Sequence, residues 1–89
     1  MPALFTFIGN ELKYPKFAQK KGIEGTVYVA FVVEKDGSIV EIEVKKSVEE
    51  HLDKEALRMV KVMPRWKPGK FEGEIVRYKF TLPVKFKLE

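Results

Sequence analysis

The sequence has no cysteine, one histidine and two serines among its 89 residues. Without cysteine it can form no disulfide, no thiol nucleophile and no cysteine-ligated metal site. A single histidine, His51, excludes the usual zinc sites, which take several convergent histidine, cysteine or carboxylate ligands. It also leaves little basis for acid–base or covalent catalysis. The composition therefore predicts a protein that is not an enzyme and holds no metal or other cofactor.

The chain also lacks a long apolar run and a strong charge excess. No segment reaches the ~18 apolar residues of a transmembrane helix, and the N-terminus does not read as a secretory signal, so we expect no direct membrane insertion. The net charge of +4 is far from that of a dedicated nucleic-acid surface. The 45% of hydrophobic residues excludes disorder and predicts one modest core. We expect a single domain over residues 1–89.

The first part of the chain predicts two short helices. Apolar residues recur at helical spacing over residues 2–12. A second helix is expected after Tyr14-Pro15, because proline suits the first turn and Gly22 suits the position just past the end.

Two strands and a helix are expected next. Residues 26–34 are apolar on both faces, which is typical of a central strand. Asp36-Gly37 supplies turn chemistry, and residues 38–46 alternate, with Val40, Ile42 and Val44 on one face. This predicts a hairpin. Residues 47–63 change to helical period, and Pro64 ends that helix.

The third predicted strand, over residues 75–88, has the clearest alternation in the chain. Its apolar residues share one face, and its basic residues Arg77, Lys79, Lys85 and Lys87 share the other. A right-handed crossover between the second and third strands places the first strand in the middle. We therefore predict an α+β, two-layer domain, with a three-stranded antiparallel sheet of order 2-1-3 and helices packed on one face.

This topology leaves the third strand at a sheet edge, for which two interpretations stay open. An exposed edge can accept an extended peptide as an additional strand. Alternatively, its lysines only protect the edge from aggregation. Nucleic-acid binding is a weaker interpretation, because Tyr78, Phe80 and Phe86 fall on the face that must form the core. Trp66 is either a recognition aromatic or, more in keeping with its size, a cap on the core.

Several motifs resemble one known family, the C-terminal domain of TonB, an energy-transducing protein of Gram-negative bacteria. They are Tyr14-Pro15 followed by Ala18, residues 22–27, Asp36-Gly37, Leu52-Asp53 with Glu55-Ala56, residues 63–70 around Trp66, and Leu82-Pro83-Val84. They occur in the family's order and spacing and cover residues 4–88. The leading helix and the lysine-rich composition look most like the Bacteroidetes branch.

The resemblance implies a periplasmic module without catalytic activity. Such a module binds the TonB-box segment of outer-membrane receptors by β-strand addition, and this binding serves energy-dependent transport. Carried over by position, the peptide-binding residues would be Lys13, Tyr14, Pro15, Val76, Arg77, Tyr78, Lys79, Phe80, Thr81 and Leu82. The resemblance further implies that strand-swapped homodimers can form. It predicts no nucleic-acid partner.

The family's membrane anchor and proline-rich spacer have no counterpart in these 89 residues. Lys, Glu and Val are used heavily at strand and surface positions, as idealised sequences use them. A second hypothesis is therefore a designed or redesigned scaffold on this fold, with no native partner.

Overall fold

The computed structural model describes residues 10–88. Its elements are α1 (Lys16–Lys21), β1 (Gly25–Val33), β2 (Ile39–Lys46), α2 (Glu50–Lys61), β3 (Gly69–Phe71), β4 (Glu74–Val76) and β5 (Tyr78–Phe86). The helix predicted over residues 2–12 lies mostly outside the described residues. Its last part is inside them, and Asn10 and Glu11 are helical.

The main sheet has the strand order β2-β1-β5, and both neighbours of β1 are antiparallel to it. This confirms the predicted α+β fold with sheet order 2-1-3. β1 is central because both of its faces are apolar. Val27, Val29, Phe31 and Val33 are buried towards the helices, and Ala30 is buried on the other face.

Local sequence signals account for the two helices. Glu49 caps α2, since its carboxylate accepts hydrogen bonds from the N–H groups of His51 and Leu52. Gly22 ends α1 in the left-handed conformation. The buried residues of α2 repeat at helical spacing and pack over β1 and β2; they are Leu52, Ala56, Met59 and Val60.

The predicted single strand over residues 75–88 is wrong in one respect. The chain changes partner at Arg77: β4 pairs with β3, whereas β5 pairs with β1. β3 and β4 form a hairpin whose two turn residues, Glu72 and Gly73, both have positive φ, which is the signature of a type I′ turn. The alternation runs unbroken through Arg77, so periodicity alone could not reveal the change of partner.

The predicted face of β2 also needs a correction. Glu41 has a φ of 52°, and the pairing with β1 shifts beside it, from Val32↔Val40 to Ala30↔Glu43. This bulge reverses the alternation. As a result Ile39, rather than the predicted Val40, packs against the core together with Ile42 and Val44.

Candidate functional site

The candidate site is the free side of β5. One side of this strand pairs with β1 along its whole length, from Tyr78↔Val33 to Phe86↔Gly25. No strand formed by residues 10–88 pairs with the other side. We call that side the open edge. Its unpaired backbone groups are what strand addition uses.

Two independent observations show which backbone groups of β5 point to the open edge. Pro83 pairs with Tyr28 but has no N–H, and proline in a paired strand places its nitrogen away from the partner. Directly after β1, the N–H of Glu34 donates to the carbonyl of Ser38, on the β2 side. Direction alternates along a strand, so even-numbered residues of β1 face β2 and odd-numbered ones face β5.

Both observations assign the same alternation to β5. Tyr78, Phe80 and Leu82 exchange hydrogen bonds with β1, because they pair with odd-numbered residues of that strand. The N–H groups that face the open edge therefore belong to Lys79, Thr81 and Lys85. Of the sequence-predicted site residues in β5, only Lys79 and Thr81 can donate to an added strand.

The helix-facing side of the open edge changes along its length. Leu82, Val84 and Phe86 are buried, whereas the ring of Phe80 remains 37% exposed. Because α2 packs over β1 and β2, the side chain below Phe80 is that of Trp66, at 5.1 Å between ring centroids. The N-terminal half of β5 thus presents an aromatic surface beside its open backbone groups.

Trp66 caps the core, as the stronger of the two sequence interpretations predicted. Its side chain is 9% exposed and packs edge-on against Phe31, at 5.1 Å between ring centroids. The backbone N–H of Trp66 donates to the carbonyl of Gly37, at 2.9 Å. A Cβ on Gly37 would lie 2.3 Å from the Trp66 carbonyl oxygen, so this approach requires glycine in the β1–β2 turn.

The outer face of the open edge is basic, and part of it is neutralised across the sheet. The Arg77 guanidinium donates to Glu34 at 2.8 Å and to Glu41 at 2.9 Å. Hydrogen bonds to these two carboxylates raise the pKa of Arg77. The Nζ of Lys79 lies 3.9 Å from the Oε1 of Glu43. These contacts form a charge ladder across the outer face of the sheet, in which Glu41 and Glu43 have a structural role.

The predicted flanking residues lie apart from the middle of the open edge. The ring of Tyr14 packs edge-on against Phe86, at 5.6 Å, near the C-terminal end of β5. Its hydroxyl donates to the carbonyl of Ile23, and burial together with the nearby Glu24 carboxylate raises its pKa. Lys13 and Pro15 line a depression beside α2 instead. The structure therefore brings Tyr14, but not its two neighbours, to the strand.

Val76 and Arg77 also lie outside β5. Val76 pairs with Gly69 in the hairpin, and Arg77 is the unpaired residue between β4 and β5. Ile75 of β4, which was not among the predicted site residues, is 49% exposed. Glu72-Gly73 between β-forming residues was the signal for the hairpin.

The Lys13 segment is held to α2 by Glu55, whose side chain is only 12% exposed. Arg58 donates to both carboxylate oxygens, at 2.9 and 2.7 Å, and the N–H of Lys13 donates at 2.8 Å. Burial acts to raise the pKa of Glu55, but these hydrogen bonds outweigh it and lower the pKa. The ionised carboxylate therefore stabilises this contact.

Replacing Glu55 by Gln should lower the free energy of unfolding at pH 7, because it weakens the hydrogen bonds to Arg58. The loss should be only about 1 kcal/mol, because solvent partly screens Arg58. A carboxylate with a lowered folded pKa contributes its stability above the unfolded value, near 4.3. That contribution disappears as the pH falls through the folded pKa. Urea midpoints at pH 7, 4 and 3 should show the two proteins converging in acid. Glu74→Gln, at an exposed position, is the control, and a gap that does not change with pH would contradict the assignment.

The remaining functional groups have structural explanations. The Nδ1 of His51 lies 2.6 Å from the Oε2 of Glu49, and the His51 ring stacks on Phe17, with 4.3 Å between ring centroids. Within residues 10–88 there is no group of three or more side chains placed to hold a metal ion. Among residues 10–88, the exposed ring on the basic outer face is that of Tyr28, and the Lys46 Nζ lies 5.9 Å from its centroid. Across the same described range, no helix has the length and apolarity to cross a membrane.

Comparison with known proteins gives consistent matches. The family model for the C-terminal region of Gram-negative bacterial TonB proteins matches residues 10–88. The TonB protein of Pseudomonas aeruginosa is 37% identical over 76 residues, which cover 85% of this chain and 22% of that protein. The TonB protein of Vibrio cholerae is 35% identical over 80 residues, covering 86% and 32%. The chain thus spans less than a third of the length of these relatives.

Solved structures of TonB C-terminal domains match this chain as well. A solution structure of the TonB C-terminal domain of Helicobacter pylori superposes with a TM-score of 0.72 at 31% identity, over 96% of this chain and 89% of that one. The corresponding domain of Pseudomonas aeruginosa gives 0.64 at 36% identity, over 86% and 78%. The family model covers nearly the whole chain, and the sheet order is the one that the sequence predicted. The chain belongs to the TonB C-terminal domain family.

Proposed function

We propose that this domain is the receptor-binding end of a TonB-type energy transducer, acting in the periplasm and serving energy-dependent transport through outer-membrane receptors. It binds the TonB-box segment of a receptor as an extra strand on β5 and catalyses no reaction. The observation that carries this proposal is the open edge. Lys79, Thr81 and Lys85 direct backbone donors to it, and the exposed Phe80 ring lies beside them.

The edge is suited to one added strand of limited length. Pro83 supplies a carbonyl but no N–H, so the hydrogen-bond ladder has a gap between Thr81 and Lys85. If the ligand strand runs antiparallel to β5, its residue opposite Phe80 forms a non-hydrogen-bonded pair, in which side chains approach most closely. Specificity would then come from an apolar ligand side chain packed against Phe80, and affinity from the backbone ladder.

Titration with a TonB-box peptide should produce an alternating pattern in the amide spectrum. The N–H groups of Lys79, Thr81 and Lys85 should shift and become protected from hydrogen exchange. Those of Tyr78, Phe80 and Leu82 should change less, because they already bond to β1. Shifts confined to α1 and α2, or no shifts at millimolar peptide, would contradict strand addition. No amide shifts, together with a midpoint of thermal unfolding above about 90 °C, would favour the scaffold hypothesis.

We also propose that the strand-swapped homodimer implied by the family forms through the open edge, so that strands exchanged between two copies pair along β5. Such pairing and peptide binding use the same backbone groups, so they exclude one another. Sedimentation should therefore show any dimer dissociating as peptide is added.

A further inference from the structure

β3 takes the place that β1 leaves beside the edge strand. β1 ends at Val33, opposite Tyr78, and β3 begins at Gly69, opposite Val76. The chain leading into β3 is fixed beside the β1–β2 turn, since Trp66 donates to Gly37. A Cβ on Gly69 would lie 2.7 Å from the Tyr78 ring, so β3 starts directly next to β5.

The hairpin shows which backbone groups of β4 face away from β3. In a two-residue turn, the flanking residues Phe71 and Glu74 form a hydrogen-bonded pair. Alternation then directs the backbone groups of Glu74 and Val76 towards β3 and those of Ile75 away from it. The backbone groups of β5 alternate in the same way, since those of Tyr78 face β1 and those of Lys79 face the open edge.

Even-numbered residues face the partner strand both before and after Arg77, and β3 begins at Gly69 beside both Val76 and Tyr78, so β3 and β1 lie on one side of the chain. We infer that the open edge continues from β5 through Arg77 into β4, so that it accepts a receptor segment of about eleven residues, with Ile75 as an additional apolar contact. The edge from Glu74 to Phe86 would be roughly 40 Å long. An edge of this length fits within the long dimension of the molecule, 49 Å. The inference rests on the proposed function.

The occupant of this extension is the continuation of the same receptor segment beyond its TonB box. On the outer face, Ile75 lies opposite Lys70 and shares that face with Arg77 and Lys79. Residues 75–88 include no acidic side chain. The extension therefore suits a segment with an apolar residue at Ile75 and neutral or acidic residues beside it, and disfavours a basic one.

Hydrogen exchange in the whole 89-residue domain tests the extension. The probes are a seven-residue TonB-box peptide and the same peptide lengthened by five receptor residues at each end. The short peptide should protect Lys79, Thr81 and Lys85. The long peptide should also protect Ile75 and Arg77, and should bind about tenfold more tightly because it gains ladder hydrogen bonds and an apolar contact.

Ile75→Pro removes the outward N–H without removing a hydrogen bond of the hairpin, so the tenfold difference between the two peptides should disappear. Ile75→Ala keeps the N–H and should lose only part of the difference. Phe71→Ala, on the far strand of the hairpin, is the matched control. Contacts between Gly69 and Val76 in NOE spectra report whether the hairpin is intact. If it is not, N-methylation of the long peptide at successive residues maps the same ladder from the ligand.

The outcomes separate the two proposals. Protection by the long peptide that stops at Lys79 would overturn the extension and leave strand addition to β5 standing. Protection of β3 amides instead of Ile75 and Arg77 would also overturn it. No protection by either peptide would overturn both.

Discussion

A Lys79→Pro domain is expected to fold normally and to bind a TonB-box peptide about 30-fold or more weakly than the parent. The N–H of Lys79 faces the open edge and takes no part in the ladder with β1. Proline there removes a donor and leaves a peptide carbonyl without a partner, which together cost about 2 kcal/mol of binding free energy. Calorimetric titration measures the affinity, and chemical unfolding checks the fold.

Two matched variants give this result its meaning. Lys79→Ala removes the same side chain but keeps the N–H, so it should bind within about threefold of the parent, since a surface charge contributes little. Phe80→Pro removes an N–H that bonds to β1, and should destabilise the sheet by about 3 kcal/mol. If Lys79→Ala weakened binding as much as Lys79→Pro, the lysine charge rather than the backbone ladder would be the determinant.

A Trp66→Ala domain is expected to lose about 3–5 kcal/mol of its free energy of unfolding, the usual range for a buried tryptophan. The ring packs between Phe31 and Phe80, so its removal leaves a cavity at the edge of the core. For a domain of this size the midpoint of thermal unfolding should fall by roughly 15–30 °C. Circular dichroism is the suitable probe, because Trp66 is the only tryptophan.

The control for Trp66 is an aromatic residue that the core does not use. Phe71 on β3 is 66% exposed. Phe71→Ala should change the free energy of unfolding by no more than about 0.5 kcal/mol. Comparable losses in the two variants would mean that the hairpin, and not Trp66, closes this end of the core. Because Trp66 also supports Phe80, Trp66→Ala should weaken peptide binding even at temperatures where the domain remains folded.

Much of the fold could be predicted because its signals are local. Apolar residues on both faces of one strand predicted that β1 is central, and the proline and glycine around α1 predicted that helix. The candidate edge followed from topology, since a crossover helix must leave the third strand outside the first. The predictions failed where the determinant was a partner far along the chain, as at Arg77, or a bulge, as at Glu41.

The binding residues could be predicted only as a range. A ladder uses every second backbone group, and the sequence alternates identically whichever set faces outwards. Pro83 was the clue, because its missing N–H requires that odd-numbered residues face the open edge, but using it needs the pairing with Tyr28. Phe80 was predicted to be buried with its neighbours. It is partly exposed because α2 packs over β1 and β2, and the side chain beside Phe80 is that of Trp66.

The sequence by itself determined the class of domain, the central strand and the presence of a basic edge, because apolar periodicity and turn residues act over a few neighbouring positions. The tertiary structure decided which N–H groups remain free and which aromatic ring the open edge exposes. Those properties depend on which strand lies beside which. β1 ends at Val33, which pairs with Tyr78, and the partner of β4 is β3, which begins 36 residues later.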